Sequence, residues 1–219
     1  MVRETTTGEL AFELLDRAEF LLEAPPVPLV LALDMPIGLP DQGARSCDRL
    51  ARACLGPARR NSVFPAPIRS ALGASNREQA SEITQAIDGR RVSAQAWGLF
   101  PKIREVDAWL CERQSARKQV WEVHPELSFW AWNEGSAMSH AKKTLPGREQ
   151  RLRLAEAWLG PDLLSRARGS WKRGELADDD ILDAVATLWT AHRIEDGTAQ
   201  VLPESPLRDA VGLPMRIAY

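Results

Sequence analysis

The sequence predicts an α/β fold, and two stretches of the chain carry this prediction. Residues 29–33 (LVLAL) form a continuous apolar run of strand length, which is typical of a strand covered by helices on both faces. Residues 118–132 (KQVWEVHPELSFWAW) begin with β-compatible side chains, and Pro125 then stops the strand because proline has no N–H to donate. In open α/β sheets ligands bind at the strand ends, since helices cover both faces and leave that edge open.

Polar residues lie at the ends of both predicted strands. Asp34 directly follows the first apolar run, and Glu122 and His124 lie where the second strand is interrupted. A carboxylate at the end of a buried strand is costly unless a cation meets it, so these residues are candidates for a metal or catalytic site. Each also has a structural alternative, because Asp34 can cap the amides of a turn and residues 122–126 can be solvated.

Apolar residues at helical spacing predict helices over residues 9–23, 44–55, 77–87, 101–112, 148–159 and 176–194. The second of these helices has Arg45 and Asp48 on its polar side. The chain has no internal repeat and no low-complexity linker. We therefore expect a single domain over residues 1–219, with a helical insertion over about residues 44–115 between the two strands.

Aspartates crowd the start of the last predicted helix. Asp178, Asp179 and Asp180 occupy its first turn, where carboxylates suit the helix dipole, and this structural role explains one or two of them. Asp183 lies one turn further along, on a helix that is apolar on two sides. Buried carboxylates repel one another unless a cation is present, so the group predicts a divalent metal ion.

The most basic part of the chain precedes that helix. Lys142 and Lys143 are adjacent in a polar loop, and Arg148, Arg151 and Arg153 open the next helix. These side chains fit a solvated helix face. Beside a metal centre they would also fit a grip on a substrate phosphate.

Composition limits the function classes. The net charge of −2 provides no general attraction to nucleic acid, so such binding would need a local basic patch. The three cysteines have no CxxC spacing, which argues against a disulfide framework and a cysteine zinc site and fits a reducing cytoplasm. No apolar run approaches the length of a membrane span.

Motifs in a fixed order carry a family resemblance over about residues 29–219: LALDMPIGLP, RSCDRLAR, SVFPAP, KIREVDAWL, WEVHPELSFW, AKKTLPGREQR, DDDILDAVATLWTAHRI and GLPMRIAY. Together they resemble an uncharacterised bacterial family, a domain of unknown function whose members are predicted RNase H-like nucleases. The resemblance implies an RNase H-like sheet flanked by helices. In that sheet Asp34 would end a central parallel strand, Glu122 would end its neighbour, and the helix from Asp178 would pack across both.

The N-terminal residues depart from that resemblance. The family is expected to begin with a strand that carries a first metal-binding aspartate, followed by two further strands. This chain runs from Met1 directly into the helix predicted over residues 9–23. We therefore expect the first strands to be missing and the two-metal site to be incomplete. A sheet edge exposed in this way would favour a homodimer.

The leading functional prediction is a nuclease or phosphodiesterase that depends on Mg²⁺ or Mn²⁺ and acts on nucleic acid or a nucleotide. The predicted metal ligands are the carboxylates Asp34, Glu122, Asp179 and Asp183, with Asp180 as the nearest substitute. His124 is predicted to transfer a proton, and the basic side chains of Lys142, Lys143 and Arg148 are predicted to bind phosphate. One alternative is a binding or structural module that keeps the fold without catalysis. Another is phosphoryl transfer on a small molecule, although the sequence has no Gly-rich phosphate loop.

Overall fold

The computed structural model describes residues 2–4, 7–15, 17, 28–169 and 171–219. Within these residues the protein is mixed α/β and mostly helical. The strands are β1 (Val2–Glu4), β2 (Leu10–Phe12), β3 (Leu31–Leu33), β4 (Val120–Glu122), β5 (Val201–Leu202) and β6 (Ile217–Ala218). The α-helices are α1 (Ser46–Arg59), α2 (Arg77–Asp88), α3 (Ala94–Glu112), α4 (Pro125–Trp132), α5 (Leu145–Leu159), α6 (Leu163–Arg168) and α7 (Asp178–Glu195).

The described strands form three two-stranded sheets. β3 and β4 pair in parallel with Leu33 opposite Glu122, which confirms the expected pairing of the two strands. β1 with β2 and β5 with β6 pair antiparallel, and an isolated bridge from Val123 to Ala218 links β4 to β6. Over the described part of the chain these small sheets do not form the larger RNase H-like sheet that the resemblance implies.

The N-terminal prediction is wrong for part of its range. The helix was expected over residues 9–23, but Leu10–Phe12 form β2, paired with β1 through contacts such as Val2 opposite Phe12. Alternate positions of this segment can face opposite sides of a hairpin, and the pairing partner lies only a few residues upstream. Residues 16 and 18–27 of the predicted helix lie outside the described residues.

The other predicted helices are present, with differences at their ends. α1 is regular as far as Leu55, which is where the prediction ended it. Gly56 then interrupts the helix with a φ of 61°, directly before Pro57. α3 and α5 begin earlier than predicted. Ser93 caps α3 by accepting a hydrogen bond from the Ala96 N–H, and Thr144 caps α5 by accepting from the Gly147 N–H. Pro101, read as the start of a helix, lies inside α3.

α7 packs against α4 and β3 and so connects the acidic helix to the strand that carries Asp34. Its inner face is formed by Leu182, Val185 and Ala186, which are buried together with Phe129 of α4. No helix in the ranges that the structure describes is long and apolar enough to cross a membrane. The three helices α1, α2 and α3 lie between β3 and β4, where the insertion was expected.

The loop before α5 is held close to the first turn of that helix. The Thr144 hydroxyl donates to the Ala141 carbonyl at 2.7 Å, and the Arg151 guanidinium donates to the His140 carbonyl at 3.1 Å. Gly147 is required for this approach, because a Cβ at that position would lie 2.0 Å from the Ala141 carbonyl oxygen. The loop that carries Lys142 is therefore fixed at both ends.

We expect Gly147→Ala to lower the free energy of unfolding by about 1–3 kcal/mol, because the backbone at Ala141 must move to make room. The matched control is Gly98→Ala in the exposed interior of α3, where an added Cβ meets nothing within 4 Å. The Gly98→Ala change should leave the free energy of unfolding unchanged or raise it by about 0.5–1 kcal/mol. Urea denaturation of the two variants measures the difference, and equal effects would contradict the close approach at Gly147.

Candidate functional site

The Glu122 carboxylate is bound by a buried arginine. Arg45 donates from both terminal nitrogens to Glu122, at 2.7 and 2.6 Å, and also binds Asp48 at 2.6 and 3.1 Å. The Ile37 N–H donates to Glu122 at 2.7 Å, and Arg45 donates to the Ile37 and Gly38 carbonyls. Burial raises the pKa of Glu122 to about 7, although Arg45 acts to lower it.

This network corrects the sequence interpretation of α1. Arg45 and Asp48 were expected on a solvated polar side, but they are 3% and 2% exposed. The sequence did not predict the burial of these two side chains, because a buried ion pair leaves no periodic signal in the sequence. Glu122, predicted as a metal ligand, is bound by Arg45 in this structure and holds the turn after β3 that contains Ile37 and Gly38.

We expect Arg45→Met to lower the free energy of unfolding by about 3–5 kcal/mol, because Glu122 and Asp48 would both stay buried without their cation. Arg49→Met on the exposed side of the same helix is the control and should change stability by less than about 1 kcal/mol. Chemical denaturation at pH 7 provides both values. A loss at Arg45 no larger than that at Arg49 would show that the network contributes little.

A second buried arginine binds the first turn of α4. Arg151 contacts both carboxylate oxygens of Glu126 at 2.7 and 2.8 Å, and Arg59 lies 3.6 Å from the same carboxylate. The sequence interpretation placed Arg151 in a basic, solvated helix face, but it is 1% exposed. Its only sequence signal is its place among the basic residues of α5, which does not distinguish it from Arg153.

Lys142 brings three of the predicted metal ligands together. Its Nζ lies 2.5 Å from Asp183 Oδ2 and 3.9 Å from Asp179 Oδ2. Asp34 is also within electrostatic reach of Lys142 and of Asp183. We call Asp34, Asp179, Asp183 and Lys142 the lysine–aspartate group. Asp180, the predicted substitute, is exposed and has no ion-pair partner in the described ranges.

The electrostatics of this group follow from burial and mutual charge. Burial raises the pKa of Asp183 to about 6, with Lys142 acting to lower it and Asp34 and Glu126 acting to raise it further. Asp34 keeps an exposed surface, yet the protein atoms crowded around its carboxyl raise its pKa, while His124 and Lys142 act to lower it. Burial alone would lower the pKa of Lys142, but the three carboxylates outweigh it and raise that pKa.

His124 is the residue directly before α4, and it acts to lower the pKa of Asp34. Its Nε2 is 3.2 Å from the Ser62 carbonyl oxygen, so Nε2 is the nitrogen that carries the proton in the neutral ring. Nδ1 is buried and has no hydrogen-bond partner within the described residues. Nδ1 is therefore the nitrogen without a proton in this tautomer, and the role of His124 in proton transfer stays a prediction.

A cleft of about 230 Å³ adjoins the lysine–aspartate group. The three basic residues predicted to hold phosphate, Lys142, Lys143 and Arg148, all line it. Arg173 and residues at the starts of two helices complete the lining: Thr144, Ala177, Asp178 and Asp179. We call this the basic cleft. Arg148 is 2.9 Å from Asp178, which Arg168 also contacts. Lys143 and Arg173 have no ion-pair partner within the described residues.

The predicted metal ligands do not fit a two-metal site in this conformation. In the described part of the chain no group of three or more His, Cys, Asp or Glu side chains is arranged to hold a metal ion. Glu122 is bound by Arg45, and Asp179 and Asp183 face Lys142. Each of these carboxylates therefore has a cationic side chain of the protein as a partner.

Comparison with known proteins places the chain in a family. Over residues 1–208 it matches the family described as Protein of unknown function (DUF429). The chain belongs to this family. No curated protein and no solved structure matches it. Membership in DUF429 supports the resemblance to an uncharacterised domain of unknown function. The RNase H-like fold, Mg²⁺ or Mn²⁺, the nucleic-acid substrate and the homodimer stay predictions.

We expect the Asp183→Asn variant to show the cost of burying this carboxylate. The pKa of Asp183 is raised from 3.8 to about 6, so the folded protein retains a proton that the unfolded chain releases. The stability that this proton contributes is fully present below pH 3.8 and is lost as the pH rises to about 6. Relative to the wild type, Asp183→Asn should therefore be more stable at pH 7 than at pH 4, by about 2 kcal/mol.

Urea denaturation at the two pH values measures this difference. Lys142, Asp34 and Glu126 are the charged groups that face Asp183, and they are unchanged in the variant. Asp180→Asn, an exposed carboxylate one turn earlier in α7, is the control and should show a smaller pH dependence. A pH-independent effect at Asp183 would contradict the raised pKa.

Proposed function

We propose that this protein binds a phosphate-bearing ligand, either a nucleic-acid backbone or a nucleotide, in the basic cleft. The observation that carries the proposal is the convergence of four cationic side chains on one cleft: Lys142, Lys143, Arg148 and Arg173. Among the residues that the structure describes, two acidic side chains line the same cleft, Asp178 and Asp179. Phosphate is the ligand chemistry that such an arrangement recognises best, because cations and directed N–H groups both favour a compact anion.

The distribution of charge within the basic cleft supports this proposal. Asp178 is already occupied by Arg148 and Arg168, so it repels an incoming anion less than a free carboxylate would. Lys143 and Arg173 have exposed side chains and no ion-pair partner in the described ranges, so they can meet a ligand without breaking an existing contact. They are the side chains we expect to contact phosphate directly.

The starts of two helices add to this charge. Thr144 caps α5, and Ala177 precedes α7 without a side-chain cap of its own. Uncapped N–H groups in the first turn of a helix attract anions, and the positive end of the helix dipole acts in the same direction. The cleft volume of about 230 Å³ is smaller than a typical pocket for a whole drug-sized molecule. We therefore expect it to hold one phosphate group while the rest of the ligand lies outside.

Metal-dependent phosphodiester hydrolysis is the second candidate function. The observation that favours it is that Asp183 and Asp179 lie 2.5 and 3.9 Å from one ammonium group beside the basic cleft, with Asp34 within electrostatic reach of it. His124, the residue predicted to transfer a proton, acts on the pKa of Asp34 in this group. Since the carboxylates do not fit a metal site in this conformation, hydrolysis would first require Lys142 to move away from them.

We expect Lys143→Ala together with Arg173→Ala to weaken binding of labelled single-stranded DNA, RNA and hybrid oligonucleotides by about tenfold or more. Each lost phosphate contact should also reduce the slope of log K against log salt by about one. Fluorescence anisotropy over a range of salt concentrations measures both quantities, and unlabelled ATP as competitor distinguishes a nucleotide from a polymer ligand.

Lys102→Ala is the matched control, since Lys102 is exposed on α3 and does not line the basic cleft. Equal losses in the control and in the double variant would contradict the proposed site. The absence of binding by the wild type at low salt, for all these ligands, would reject the proposal. Cleavage of an oligonucleotide in the presence of Mn²⁺, abolished by Asp34→Asn, would favour the second candidate.

A further inference from the structure

Lys142 belongs to both the lysine–aspartate group and the basic cleft. Its ammonium lies 2.5 Å from Asp183 and 3.9 Å from Asp179, and its charge also acts on Asp34. The same side chain lines the cleft. A single cation thus connects the acidic group to the place where we propose that phosphate binds.

The backbone on either side of Lys142 is held in place by hydrogen bonds, so the contact between Lys142 and the aspartates starts from a fixed loop. Arg151 donates to the His140 carbonyl, and the Thr144 hydroxyl donates to the Ala141 carbonyl. The Ala141 backbone packs so closely on Gly147 that no side chain larger than hydrogen fits at position 147. The loop therefore delivers the ammonium to a defined point among the carboxylates.

The carboxylates around Lys142 carry more negative charge than one ammonium can neutralise. The side chains of Asp179 and Asp183 are 22% and 16% exposed, so water screens them only in part. Carboxylates at such sites need a cation, a proton or both. In other proteins with converging carboxylates the cation is commonly a divalent metal ion.

We propose that the Lys142 ammonium is the resident cation of Asp34, Asp179 and Asp183, and that it competes with any divalent metal ion for these carboxylates. The Lys142 side chain is 40% exposed, so it can swing into solvent or toward an anion in the basic cleft. A divalent ion would bind to the aspartates only when the ammonium has left. This explains why residues that resemble metal ligands in the sequence form no metal cluster in the described structure.

The test is a Mn²⁺ titration of the full chain in buffer without phosphate, followed by the electron paramagnetic resonance signal of free Mn²⁺. Lys142→Met removes the charge and keeps most of the side-chain length, so it should bind Mn²⁺ about tenfold more tightly than the wild type, or more. Lys142→Arg, which keeps a positive charge, should bind as weakly as the wild type. Lys143→Met is the matched control, because it removes the neighbouring charge that lines only the cleft.

Adding Asp183→Asn to Lys142→Met should abolish the gain, which assigns the new Mn²⁺ site to the lysine–aspartate group. Equal Mn²⁺ affinity in the wild type and in Lys142→Met would overturn the proposal. So would tight binding by the wild type that Asp183→Asn removes, and this second result needs no folded Lys142 variant. The inference does not rest on phosphate binding, since no phosphate ligand is present in the titration.

Discussion

The buried guanidinium of Arg45 is the contact on which the rest of the structure depends. Its hydrogen bonds to Glu122 connect the end of β4 to the turn after β3, and its hydrogen bonds to Asp48 hold the first turn of α1 at the same point. The described strands are only two or three residues long, so backbone pairing alone does little to fix them. A buried ion pair is directional and costly to break, and it thereby sets where Asp34 lies.

The same solution recurs at the next acidic position along the chain. Arg151 holds Glu126 with two short hydrogen bonds, and this pair places α5 against α4. Each arginine supplies a buried carboxylate with two short, charge-assisted hydrogen bonds, so the protein uses these acidic residues first as anchors between elements. This use accounts for the difference between a sequence rich in apparent metal ligands and a fold in which carboxylates such as Glu122 are already bound by arginine.

Lys142 differs from the two buried arginines because it remains partly exposed. A fully buried arginine can be lost only at a large cost in stability, whereas an ammonium with access to solvent can exchange partners. Lys142 thus forms an exchangeable contact, in contrast to the permanent ion pairs of Arg45 and Arg151, and this contact adjoins the basic cleft. Binding of an anion in that cleft and the charge state of Asp183 are expected to influence each other through this single side chain.

The sequence by itself determined the features that have local causes. The apolar run predicted β3, Pro125 predicted the end of β4, and the basic loop predicted side chains that do line one cleft. Sequence periodicity could not identify the N-terminal hairpin, because its three-residue strands are stabilised by pairing with each other. Only the tertiary structure decided which carboxylate meets which cation. The Arg45–Glu122 and Arg151–Glu126 pairs join residues 77 and 25 positions apart, and charge pairing over such distances leaves no spacing that a sequence could display.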